Sequence, residues 1–107
     1  MRMATDEILP RPMVLEEFTP LLERVFRAHC VPKDIDLTLV EAYPLKDRGL
    51  VTRPPFTLIF HSDATALLSP GIYTLRSGSF GPAAIYLEAT TRMPHAPTGH
   101  YYQAVFN

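Results

Sequence analysis

Four histidines, His29, His61, His95 and His100, and one cysteine, Cys30, are the residues of this chain best suited to metal or nucleophilic chemistry. A zinc site needs ligands that converge, and spaced pairs on one element usually supply them. His95 and His100 are close in sequence, but no cysteine pair or carboxylate spacing accompanies them, so they read as loop histidines. Cys30 follows His29 directly. Neighbours on a strand point to opposite faces, so this adjacency is not a catalytic pair. A lone cysteine forms no internal disulfide and fits a reducing compartment as a small buried apolar residue.

Carboxylate pairs occur as Glu16-Glu17 and Asp34/Asp36. Both sit in polar segments, without the burial that raises a general acid's pKa. There is no Gly-x-Ser-x-Gly elbow, and no glycine-rich loop leads into a helix to cradle phosphate. The sequence therefore leans away from an enzyme and implies no cofactor or metal. Five tyrosines could build a stacking platform for single-stranded nucleic acid, but that mode needs a positive groove. Ten Lys and Arg against eleven Asp and Glu give a net charge of −1. This near-neutral balance argues against nucleic-acid binding. Arg53, His61 and Arg76 are the candidate binding residues, as polar anchors at strand ends or on the less apolar strand faces.

The elements that would position these groups are mostly strands. Residues 1–12 carry two prolines and scattered charges and read as a loose arm, leaving residues 13–107 as one domain. Apolar residues from Val14 to Phe26 have helical spacing, interrupted by Thr19-Pro20. Thr19 is a candidate N-cap with Pro20 opening a short helix. We expect one or two helical turns to about Glu23 and then a strand, with a helix through Ala28 as the rival. Phe26, Ala28 and Cys30 alternate against Arg27 and His29, which is the strand pattern.

Ile35, Leu37 and Leu39 alternate with polar residues before Val40 and Ala42 shift the apolar face, through a bulge or because both faces are covered. A proline-bounded loop spans residues 44–55. Phe56, Leu58 and Phe60 then share one face of a strand, opposite Thr57, Ile59 and His61. "IYTLR", residues 72–76, and residues 83–88 flank a reversal at Ser77–Gly81, with Pro82 suited to a strand's first position. After a second polar loop at 90–99, "HYYQAVFN" is too apolar for a free tail and is expected to complete a sheet. Five to six short strands with one short N-terminal helix predict an all-β fold, a small antiparallel barrel or sandwich.

"RPPFTLIF", "LLSPGIYTLRSGSFGPAAIYLEA" and "YYQAVFN" together resemble a family of small uncharacterised bacterial proteins, a domain of unknown function. The likeness rests on an Arg-x-Pro-Phe strand (Arg53, Pro55, Phe56), a Gly-x-Tyr strand (Gly71, Tyr73) and the hairpin's Gly81. It ends on a C-terminal Tyr-x-Ala-Val-Phe-Asn (Tyr102, Ala104 to Asn107). It departs at Pro70, where the family often has glutamine, and at Glu88-Ala89, where the family's strand more often ends in proline. The resemblance implies an assembly or accessory role, because such proteins are associated with phage-tail-collar-like genes.

The expected function is a non-enzymatic structural or interaction module, acting through a protein partner or self-association. The alternative is a small-molecule or carbohydrate-binding barrel. No run of apolar residues is long enough to span a bilayer, and the start lacks a signal peptide's apolar segment, so a cytoplasmic protein is expected.

Overall fold

The computed structural model describes residues 13–46, 54–91 and 96–106. Six antiparallel strands close into a barrel: β1 (Val25–Ala28), β2 (Ile35–Pro44), β3 (Phe56–Ser62), β4 (Gly71–Ser77), β5 (Phe80–Thr90) and β6 (His100–Phe106). Their order around the wall is β1-β2-β3-β6-β5-β4, with β4 returning to β1. The terminal strand completes the wall, pairing with β3 at seven positions and with β5 at three.

Period-two alternation builds the interior. Phe26, Leu37, Leu58, Leu75, Ile85 and Tyr102, one from each strand, are buried together. Between Leu39 and Glu41 the register of β2 shifts against β3. Val40 is the extra residue, so the apolar phase moves from Leu37 and Leu39 to Ala42, as a bulge requires.

A second irregularity sits in the β4–β5 hairpin. Ser77 pairs with Phe80, so the reversal itself is only Gly78-Ser79, shorter than the five residues expected from the sequence. Gly81 and Pro82 together oppose Arg76 and form a bulge within β5. Pro82 therefore lies inside the strand rather than at its first position. Gly81 has φ +91°, and a Cβ there would come within 2.5 Å of the Leu75 carbonyl oxygen, so only glycine fits.

The N-terminal helix is two abutting 3₁₀ turns, Leu15–Glu17 and Thr19–Leu21, followed by β1 rather than by a longer helix. Thr19 begins the second turn itself, and Phe18 occupies the cap. The reason is packing. Phe18 is fully buried and plugs one end of the barrel, against the rings of Phe26, Phe56, Phe80 and Phe106 at 5.1–6.5 Å. The other end is closed by Leu68 and by Tyr102, whose hydroxyl accepts from the Leu68 N–H at 3.1 Å and lies 3.1 Å from Ser62 Oγ.

Candidate functional site

Phe18 and Leu68 are buried at the two ends of the packed interior, and the candidate site residues lie on the outer wall. Of the three residues singled out from the sequence, His61 and Arg76 are described and lie on separate parts of that wall. Arg53 lies outside the described residues. His61 points outward from β3 and Arg76 outward from β4, two strands that are not neighbours in the barrel.

His61 is engaged locally. Its Nε2 is 2.9 Å from the Thr98 carbonyl oxygen, and its ring centroid is 4.9 Å from that of Tyr101. Tyr101 donates its hydroxyl to the Pro97 carbonyl at 2.6 Å. Gly99, at φ +136°, lets this loop lie against β3, because a Cβ would collide with His61 and the Ser62 carbonyl. The pair therefore straps residues 96–99 to the wall.

Arg76 has a different setting. Ile72, Thr74 and Arg76 alternate outward along β4. Tyr86 of β5 stands directly opposite Ile72, and Ala84 opposite Thr74. On the other flank, Arg27 of β1 stands opposite Arg76, and the His29 N–H donates to the Thr74 carbonyl at 3.0 Å. The outer face of β4 thus runs from an apolar end to a cationic end. At the apolar end Ile72 is 71% exposed and Tyr86 53% exposed, so two large side chains paired across strands both face solvent. At the cationic end a hollow of about 220 Å³ is lined by Arg27, His29, Asp34, Thr74 and Arg76.

Three titratable groups, Cys30, Asp63 and Tyr73, are shifted by their surroundings. Burial, and secondarily the Asp34 carboxylate, pushes the Cys30 thiol above its ordinary pKa, which keeps it protonated. Asp34 Oδ1 accepts from the Cys30 N–H at 3.3 Å and lies 3.4 Å from His29 Nδ1. Tyr73, chiefly through burial, is also raised, and its hydroxyl donates to the Ser69 carbonyl at 2.6 Å. Asp63, held low mainly by the hydrogen bond from the Thr65 hydroxyl, caps a turn and is exposed. Among the described residues, no three His, Cys, Asp or Glu side chains converge to hold a metal. No helix among them is long and apolar enough to cross a membrane.

One family matches residues 13–106, from the buried Met13 to the end of β6: the domain of unknown function DUF6916. The chain belongs to this family. No curated protein and no solved structure matches it.

In this DUF6916 domain the outer face of β4 draws on residues that the sequence did not single out, Arg27, Ile72 and Thr74, and on Tyr86, one of the five tyrosines considered for stacking. Alternation had already separated Arg27 and His29 from the core positions Phe26 and Ala28. The β1–β4 pairing that closes the barrel was not legible, and it alone brings Arg27 to Arg76.

Proposed function

We propose that this DUF6916 domain is a non-enzymatic interaction module that docks a protein partner on the outer face of β4. The carrying observation is the exposed cross-strand pair of Ile72 and Tyr86. Tyrosine and arginine are the residue types that dominate interface hot spots, and both lie on this face. The outward side chains of the closed wall are available to make such contacts. The resemblance to bacterial proteins associated with phage-tail-collar-like genes supports an accessory role in a phage-tail-like or surface assembly.

One observation favours a second reading, a small-molecule or carbohydrate binder. A separate hollow of about 220 Å³ on the wall combines the half-exposed ring of Tyr43 with Glu41, Ile59, Thr90, Thr91 and Gln103. An aromatic ring beside carboxylate and amide groups suits a polar ligand with one apolar face. The exposed Ile72–Tyr86 pair favours the first reading.

The test is capture of partners in the source organism with an N-terminally tagged chain, quantified by mass spectrometry against the Ile72→Asp variant. We expect one stoichiometric structural partner, with enrichment falling by about tenfold or more in the variant, as loss of a hot-spot contact implies. Unchanged melting of the variant would show that the fold is intact. A partner retained equally by Ile72→Asp would overturn this face as the docking site. Clean isolation without a partner would move the assignment to the ligand-binding reading.

A further inference from the structure

Arg27 and Arg76 oppose each other across the β1–β4 ladder, on the same side of the wall. Like charges directly opposite on a sheet destabilise it, so the pair requires compensation. Arg27 has some: its Nε is 3.2 Å from Asp36 Oδ1 on β2. Asp34, the carboxylate that lines the hollow, is turned to its own loop, toward the Cys30 N–H and the His29 ring. Arg76 has no side-chain hydrogen bond or ion pair among the described residues. Among the described residues, one guanidinium is therefore without a direct carboxylate partner beside a hollow of about 220 Å³.

We propose that this hollow seats a carboxylate carried by the partner, an aspartate or glutamate side chain gripped by Arg76 with Arg27 beside it. The identity of the occupant as a protein rests on the interaction-module reading above. Charge selects the carboxylate. A guanidinium without a direct partner matches a monoanion through its planar fork of donors, and Asp34 in the lining repels a doubly charged phosphate more strongly than a singly charged carboxylate. Geometry sets the spacing. Ile72 and Arg76 lie four residues apart on one face of β4, about 13 Å at ordinary strand rise. An extended partner segment with an apolar side chain four residues from an acidic one reaches both ends of the face.

The probe is the peptide acetyl-Leu-Ser-Ser-Ser-Glu-amide, titrated into the full chain while the Nε–Hε resonances of its arginines are followed by NMR. Its counterpart ending in glutamine, inorganic phosphate and the Arg76→Gln variant provide the comparisons. We expect saturable shifts centred on Arg76 and Arg27, weakened about tenfold or more by glutamine or by Arg76→Gln, the scale of a lost charge-assisted contact. Equal response to both peptides, no response to either, or shifts as large at Arg24 as at Arg76 would overturn the proposal. Saturation by phosphate at a lower concentration than by the glutamate peptide would overturn the carboxylate assignment. A captured partner that depends on Ile72 but not on Arg76 would remove the carboxylate seat and leave the interaction module standing.

Discussion

Tyr102 carries more of the structure than its single hydroxyl suggests. Its ring is buried in the barrel, and its oxygen ties β6 to the segment between β3 and β4. It accepts from the Leu68 N–H, pairs with Ser62 Oγ, and lies 3.4 Å from the Ala66 carbonyl. Ser62 Oγ lies within donating distance of the same carbonyl, at 3.0 Å. Tyr102→Phe keeps the ring and strands the buried Leu68 N–H, so we expect a loss of about 1–3 kcal/mol, the cost of an unsatisfied buried donor. Urea denaturation checks it, with a lowered midpoint and an unchanged m-value expected. Tyr73 and Tyr101 work by the same logic, rings against the wall and hydroxyls donated to loop carbonyls four residues away. The sequence showed tyrosines spread over strands, and a ring at the core with its oxygen at the rim was the expected use. Which carbonyl each hydroxyl reaches depends on how the loops fold back, and no local pattern encodes that.

The strand elements were the most legible part of the chain because side-chain alternation is a local property. Phe56, Leu58 and Phe60 on β3 face inward as their spacing predicts, and the phase shift after Leu39 marks a true bulge. The hairpin was less legible. "SGSFG" reads as one long reversal because glycine suits a turn, but Gly81 serves a bulge pressed against the Leu75 carbonyl. The closing strand β6 matters most for cooperativity, since it satisfies the β3 edge along seven paired positions and seals the barrel against β5. Deleting residues 101–107 would expose that edge and open the core. We expect the truncated chain to lose its cooperative thermal transition by circular dichroism, and unchanged melting would refute the closing role of the strand.

At the scale of the whole molecule, closure is a matter of filling both ends as well as pairing all six strands. Phe18 arrives from the 3₁₀ turns and meets rings contributed by β1, β3, β5 and β6. Phe56 and Phe106 stack beneath it at 4.5 Å with 9° between their planes. Phe18→Ala would leave a cavity bordered by four strands, and we expect a loss of about 3–5 kcal/mol, measured by chemical denaturation. A cost near zero would mean that the plug is dispensable. Composition, charge and alternation by themselves determined an all-β domain with a short N-terminal helix and a strand at its end, because each follows from local geometry and burial. Only the tertiary structure decided between barrel and sandwich, since closure requires β4 to return to β1 across nearly fifty residues of intervening chain. That return sets Arg27 beside Arg76. His61, read with Arg76 as a binding anchor, is placed on a strand that does not neighbour β4. Such neighbours belong to register between distant strands, and local sequence pattern does not encode that register.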